Sequence, residues 1–471
     1  MFWITLACAA LVRFVGLFAH STGADEAFTF YVSAHRVPVI LHLVRTQDFH
    51  PPLIYLIGNL LMQVTRHAWL FRIVTALFGV MGTAATYALA VRLLGGWGPI
   101  AALLVAVNPS LAYFDGYFRM YALLWSLAML SWACLLWAMD EPRRARRWVA
   151  YGAVTAALVY TQYLAFFTVL AQICYVAFAQ RRTAGFWLAC TAALLAFAPW
   201  APALAVQYPL GGTAYNAVLN GQVWRVTLMA PSFLLVDGIP ESLEFAKTTI
   251  AVFDLVVLGG LVIAFAQRRW TVLALCLPLV LQVAFSLVSG KLLLGGRYLL
   301  QGIVPLTFVC IVVCAWLTAR KLRVLALALV CVLATFELAG TVDKHFLAPY
   351  QPVDWGVYRQ FLDPKMQKRD AIVLDSSMVY YVLVGSPAIA NRPVYLISTQ
   401  EQAKAFAQRA AKIGRIWYVG YEPELPDPNG EVFKSLLQTH PRHASWVTTD
   451  AAYGDVVLTT LFLPPSSDRK E

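Results

Sequence analysis

Charge is what this sequence has least of. Asp, Glu, Lys and Arg make up 13% of its 471 residues, against roughly a quarter in ordinary soluble domains, while 60% of the chain is hydrophobic. A soluble globule is therefore excluded, and a polytopic membrane protein is expected. The net charge of +11 does not point to nucleic acid, whose footprint would be a basic face on a soluble fold. Cysteine carries no chemistry either. All eight cysteines lie inside apolar segments and none forms a Cys-x-x-Cys pair, so neither a zinc site nor a disulfide framework is expected. No basic region precedes the first apolar segment, residues 1–20, and Arg13 interrupts it, so this segment reads as an uncleaved span rather than a signal peptide.

What is present is a series of apolar runs separated by short basic clusters. Beyond the first segment, spans are expected near 72–92, 98–114, 120–139, 148–163, 164–179, 186–205, 248–266, 271–288, 298–317 and 324–341. Between them stand Arg92, Arg143-Arg144-Arg146-Arg147, Arg181-Arg182, Arg268-Arg269 and Arg320-Lys321-Arg323. The run at 51–64 is short of the ~20 apolar residues a crossing helix needs. If it lies along the interface, every basic cluster falls on one side, which the positive-inside rule makes cytoplasmic. The expected architecture is thus an α-helical polytopic membrane protein of about eleven transmembrane helices, with the N-terminus inside and the C-terminus outside.

That topology collects acids and bases on the non-cytoplasmic face. Asp25, Glu26 and His50 come from the first loop, and Arg72 opens the next span. Asp115 and Arg119 lie in one later turn, and Lys291, Arg297 and Tyr298 in another. Ionisable groups at the edge of a membrane are functional candidates by default. Two plainer readings compete: Asp25-Glu26 as acids stabilised at a helix N-terminus, and Arg72 and Arg297 as anchors reaching for headgroups.

The order of these residues carries a resemblance. Asp25-Glu26 after the first span, His50-Pro51-Pro52-Leu53, Phe71-Arg72 before Ala76-Leu77-Phe78-Gly79, Arg119-Met120-Tyr121 and Gly296-Arg297-Tyr298-Leu299 together resemble the polyprenyl-phosphate-sugar-dependent glycosyltransferases of the GT-C superfold. More narrowly, they resemble the bacterial protein O-mannosyltransferase-like group, glycosyltransferase family 39 and its relatives, over residues 1–340. The resemblance implies a GT-C catalytic module in the bacterial cytoplasmic (inner) membrane, a polyprenyl-phosphate sugar donor and transfer on the outer face. In one place the chain departs from the group. Relatives often carry an acid two residues before the Arg of Arg-Met-Tyr, where this chain has Tyr117. No metal site is therefore assigned, a divalent Mg or Mn ion on Asp25, Glu26 and Asp115 being the alternative.

On this reading a first-loop carboxylate, Asp25, takes the proton of a hydroxyl acceptor, with Glu26 beside it. Arg72, Arg119, Lys291 and Arg297 stabilise the lipid phosphate as it leaves, with His50, Asp115 and Tyr298 as further substrate contacts. The acceptor class, whether protein, lipid A or cell-envelope glycan, and the donor sugar stay open. A transporter or flippase for a lipid-linked or anionic substrate is the competing class. From 342 onward the composition changes. Strand-like runs at Ala371–Leu374, Val394–Ile397 and Arg415–Val419 alternate with helical runs at Glu401–Ile413 and Glu431–Thr439, which suggests a small extracytoplasmic α/β domain over 342–471. It contains no phosphate-binding glycine motif.

Overall fold

The computed structural model describes residues 1–17, 24–65, 67–179, 183–210, 244–289, 293, 296–343, 361–375, 379–380, 383, 392–397, 400–421, 430–449 and 456–464. Its contacts divide the chain into two units. One comprises residues 1–19 and 32–349, the other residues 20–31 and 350–471.

Among the described residues, the regular elements of the first unit are all helices. Its opening elements are α1 (Phe2–Gly16), α3 (Val37–Gln47), α4 (Leu53–Met62), α5 (Ala68–Leu94) and α6 (Gly98–Ala106), with α2 (Ala24–Ser33) falling mostly in the other unit. Glycine reverses the chain after α5. Gly95 takes φ 59°, a left-handed conformation that glycine adopts without steric cost. A Cβ on Gly98 would sit 2.5 Å from the backbone of Ala90 and Val91. So α6 folds back along α5, and α1 packs against both. A short helix, α7 (Pro109–Asp115), follows; Asn108 caps it by accepting from the Leu111 N–H at 3.0 Å, satisfying one of the donors a helix start leaves open.

Next come α8 (Tyr121–Asp140), α9 (Ala145–Val159), α10 (Ala165–Phe178), α11 (Ala184–Phe197) and α12 (Ala201–Leu210). Between the last two, a 64° bend falls at Ala198-Pro199-Trp200, where proline lacks the N–H that would continue the helix. The later helices are α13 (Glu244–Ala266), α14 (Trp270–Ser289), α15 (Ile303–Ala319) and α16 (Arg323–Val342). Among the described residues, Tyr121–Asp140, Trp270–Ser289, Leu300–Ala319 and Arg323–Val342 are each long and apolar enough to cross a membrane, as is the folded-back stretch Ala68–Ala106. The run at 51–64 forms the ten-residue helix α4. The amphipathic helix α3 ahead of it has no counterpart in the sequence reading.

The second unit is a five-stranded sheet in the order β2-β1-β3-β5-β4. Here β1 is Ala371–Leu374, β2 Val394–Leu396, β3 Ile416–Tyr421, β4 Arg442–Thr449 and β5 Val456–Leu463. The first three pair in parallel and the last two antiparallel. Parallel strands are buried on both faces and so read as continuous apolar runs, as Ala-Ile-Val-Leu in β1 does. One face carries Ile372, Leu374, Trp417 and Val419 with Leu362 and Val457, joined by Ala27 of α2. The other carries Val373, Ile416 and Tyr418 under the helices α17 (Gln400–Ala407) and α18 (Glu431–Thr439). Asp370 fastens the start of β1. It accepts from Arg415 Nε at 2.9 Å and from Trp417 Nε1 at 2.7 Å.

Candidate active site

The loop between α3 and α4 runs Asp48-Phe49-His50-Pro51-Pro52. Two successive prolines have no backbone N–H to donate, so the segment is fastened by its neighbours. The Phe49 N–H donates to Asp48 Oδ1 at 2.8 Å, and the Leu53 N–H to the Tyr160 carbonyl at 3.2 Å. From α12, the buried Gln207 donates its amide to the carbonyls of Val44 at 2.7 Å and His50 at 3.3 Å. Gln207 is held in turn by the Tyr163 hydroxyl, which accepts from Trp200 Nε1 at 3.1 Å.

His50 is buried, with its ring 4.4 Å from that of Phe49. Burial first, then the positive charges of Arg119 and Arg297, pushes its imidazole well below the ordinary histidine range. It is therefore a neutral ring at physiological pH.

Each of these arginines is positioned by hydrogen bonds made elsewhere in the unit. Arg119, buried in the turn after α7, donates through Nη1 to the Tyr55 hydroxyl at 2.9 Å, and that hydroxyl donates to Asp48 Oδ2. Tyr55 and Asp48 are themselves buried, which makes a desolvated chain from carboxylate through phenol to guanidinium. Arg297 lies over the Tyr298 ring at 5.3 Å, in a short 3-10 turn, Gly296–Tyr298. Gln282 of α14 donates to the carbonyls of Leu293 and, at 3.1 Å, of Tyr298. The Leu293 N–H donates to Ser286 Oγ at 3.2 Å. Gln301 donates to Gln282 at 3.3 Å and accepts from Thr168 at 3.1 Å. Arg72, buried near the start of α5, donates to the Leu17 carbonyl at 3.2 Å. Its neighbour Phe71 packs edge-on against Phe118 at 4.9 Å, which joins the backbones that carry Arg72 and Arg119.

Asp115 is engaged differently. Its Oδ2 accepts from Arg13 Nε at 2.7 Å and its Oδ1 from Trp125 Nε1 at 2.9 Å. Arg13 also donates to the carbonyls of Ala9 at 3.1 Å and Ala106 at 2.8 Å. Both members of the pair are fully buried, and glycine makes room for them: a Cβ on Gly79 would stand 2.1 Å from Asp115 Oδ2. The partner of Asp115 is thus Arg13, from the first helix, rather than Arg119 four residues on.

Asp25 and Glu26 occupy the first turn of α2, where the open N–H groups of a helix favour negative charge. Glu26 is buried and Asp25 half-buried; the Asp25 carbonyl accepts from Thr29 Oγ1 at 3.0 Å. Lys291 lies outside the described residues, as do residues 211–243. Among the described residues no group of three or more His, Cys, Asp or Glu side chains could hold a metal ion. A cation on Asp115 would have to displace Arg13. Sequence reasoning missed Asp48, Tyr55, Gln207 and Gln282.

The fold is shared with known proteins. The chain superposes on the crystal structure of ArnT from Cupriavidus metallidurans in the apo state, with a TM-score of 0.58 at 14% identity, covering 97% of each chain. It superposes also on the oligosaccharyltransferase of Archaeoglobus fulgidus in the apo form, with a TM-score of 0.57 at 12% identity over 93% of this chain and 71% of that one. The chain has the fold that these two structures share. Residues 49–204 match the family described as dolichyl-phosphate-mannose-protein mannosyltransferase, a stretch that begins at Phe49 and includes His50, Tyr55, Arg72 and Arg119. A further structural match is archaeal AglB from Archaeoglobus fulgidus in complex with an inhibitory peptide and a dolichol-phosphate, with a TM-score of 0.56 at 11% identity over 99% of this chain and 74% of that one. No curated protein sequence matches the chain.

Proposed function

We propose that the chain transfers a sugar from a polyprenyl-phosphate donor to a hydroxyl acceptor on the extracytoplasmic face of the bacterial inner membrane. One observation carries the reading: Arg119 is held buried, through the Tyr55 hydroxyl and Asp48, at the loop of His50, whose ring is kept neutral by burial and by the charges of Arg119 and Arg297. Cations converging beside a ring that stays neutral suit a ligand carrying phosphate, and a guanidinium matches phosphate with a planar fork of donors. The AglB match, solved with a dolichol-phosphate, supports a donor of that kind.

The reaction forms a bond from the acceptor oxygen to the anomeric carbon and breaks the bond from that carbon to the phosphate oxygen. The acceptor proton passes to a carboxylate, for which Asp25 is assigned, with Glu26 beside it. The electron pair of the broken bond stays on the polyprenyl phosphate, whose growing charge Arg72, Arg119, Lys291 and Arg297 offset. The 342–471 segment is assigned to the extracytoplasmic side, with acceptor recognition as its role.

The test is release of polyprenyl phosphate by purified protein supplied with a panel of polyprenyl-phosphate sugars and a membrane extract as acceptor source. Wild type is expected to release it, and Asp25→Asn to do so about 10²- to 10⁴-fold more slowly, the usual worth of a general base. Near-normal turnover by Asp25→Asn would remove Asp25 from the role. No release by folded wild type with any donor would turn attention to transport.

Gln282→Leu tests how the Gly-Arg-Tyr turn is held. Removing its amide leaves the Leu293 and Tyr298 carbonyls without these donors, at about 1 kcal/mol of stability each. The folded protein is expected to survive, with KM for the donor raised about tenfold as Arg297 loses its fixed position. An unchanged KM would show that the turn keeps its place without Gln282.

A further inference from the structure

We infer that this protein has a second phosphate-binding site, a cleft between the ends of α5, α10 and α14 that takes the phosphate of an anionic lipid headgroup. The cleft has a volume of about 500 Å³, and Arg92, Tyr175, Arg268, Arg269, Trp270 and Thr271 line it. Arg92 lies twenty residues along α5 from Arg72. At 1.5 Å per residue that is about 30 Å, the thickness of a bilayer core, so the cleft is remote from His50 and its arginines.

Three guanidinium groups meet in this cleft, and only one of them is neutralised. Arg92 forms a two-pronged ion pair with Asp140, both bonds 2.6 Å. Arg269 donates to Gln267 Oε1 at 2.8 Å and to the Leu93 carbonyl at 3.1 Å, both neutral acceptors. Among the described residues no carboxylate pairs with Arg268 or Arg269. The cleft therefore holds two positive charges beyond the Arg92–Asp140 pair, with the Tyr175 and Thr271 hydroxyls, 2.9 Å apart, as further hydrogen-bonding groups.

The backbone at Arg268 strengthens the case. This residue takes φ 56° in the tight turn after α13, where the Arg269 N–H bonds back to the Ala264 carbonyl at 2.8 Å and the Arg268 N–H to Phe265 at 3.0 Å. Helix ends of this form favour glycine in the left-handed position, so an arginine there is held at a local conformational cost. Aromatic rings flank it. Trp270 packs on Phe178 at 5.1 Å and on Phe265 at 5.5 Å, and Trp and Tyr are enriched where a protein meets the headgroup layer. A site at that depth is reached by a lipid phosphate before a soluble one.

The double variant Arg268→Gly/Arg269→Gln tests this. Glycine suits the backbone at 268 and neither residue belongs to the proposed active site, so folding and donor turnover are expected to stay at wild-type levels. Full-length protein is taken from nanodiscs of phosphatidylcholine with or without phosphatidylglycerol, and retained lipid is read by native mass spectrometry. In a parallel arm, thermal stability in detergent is followed as inorganic phosphate is added. Wild type is expected to retain phosphatidylglycerol selectively, and the double variant to lose about 30-fold in affinity. Arg143→Gln/Arg146→Gln, two exposed arginines away from the cleft, should leave retention unchanged. Stabilisation by inorganic phosphate that the double variant loses, without lipid selectivity, would keep the phosphate site and make its ligand a soluble one. Equal losses in both double variants would mean diffuse attraction to a basic face. That result, or no selectivity for either phosphate source, overturns the site.

Discussion

Arg119→Ala is expected to slow turnover of a polyprenyl-phosphate donor by about 10²- to 10³-fold, the usual effect of removing one fixed donor from a site where charge develops. The reasoning is electrostatic. Breaking the bond between sugar and phosphate leaves negative charge on the phosphate oxygens, and a cation already fixed beside them lowers the barrier without having to reorganise. Arg119 is fixed in this way: it is buried, and its Nη1 donates to the Tyr55 hydroxyl, which is bound to Asp48. The variant keeps the Tyr55–Asp48 bond and the Asp48 cap on Phe49, so the loop that carries His50 should stay in place.

The split between kcat and KM identifies the role. An arginine that binds the donor equally well throughout the reaction would raise KM alone, whereas one that acts on the leaving group lowers kcat. The expected result is a loss mostly in kcat. Arg119→Lys keeps the charge without the planar fork and should recover part of it. A loss confined to KM would move Arg119 from leaving-group stabilisation to donor anchoring. Wild-type kinetics from folded Arg119→Ala would remove it from the site.

These arginines could be proposed from sequence because their signals are local. Arg-Met-Tyr and Gly-Arg-Tyr each open an apolar span, and His-Pro-Pro stands at the head of the apolar run at 51–64. The β1, β2 and β3 strands were equally legible, since four- to six-residue apolar runs between helical stretches have few other readings. The groups that hold the site left no such mark. Gln207 and Gln282 are single amides in apolar helices, and Tyr55 is one aromatic residue in a ten-residue helix. Their importance lies in partners far off in sequence. Gln207 binds a carbonyl 157 residues away, and Gln301 is bound by Thr168 from 133 residues away. Periodicity reports which face of a helix is buried, not which buried polar group meets which. The back-folding of α6 on α5 was legible only in part: a break was expected between spans near 72–92 and 98–114, but the packing of Gly98 on Ala90 depends on tertiary approach.

Asp115 shows the same limit with the largest consequence for stability. Proximity in sequence suggests Arg119 as its partner, but it pairs with Arg13, 102 residues earlier. With both side chains fully buried, Asp115→Ala strands a guanidinium among α1, α5 and α6 and is expected to cost about 3–5 kcal/mol, a large share of the stability of most proteins. Folded yield and the thermal midpoint in detergent should both fall sharply. Arg13→Met/Asp115→Leu removes both charges at similar volume, a change that is often neutral once no charge is left unpaired, so it should restore most of the loss. The comparison separates two roles for one carboxylate. If the double variant folds and still releases polyprenyl phosphate, Asp115 acts by joining α1 to α7, and Arg72, Arg119 and Arg297 work without it. If Asp115→Ala folds normally and both variants lose donor turnover, the carboxylate contacts substrate and the pair with Arg13 holds it ready for that contact.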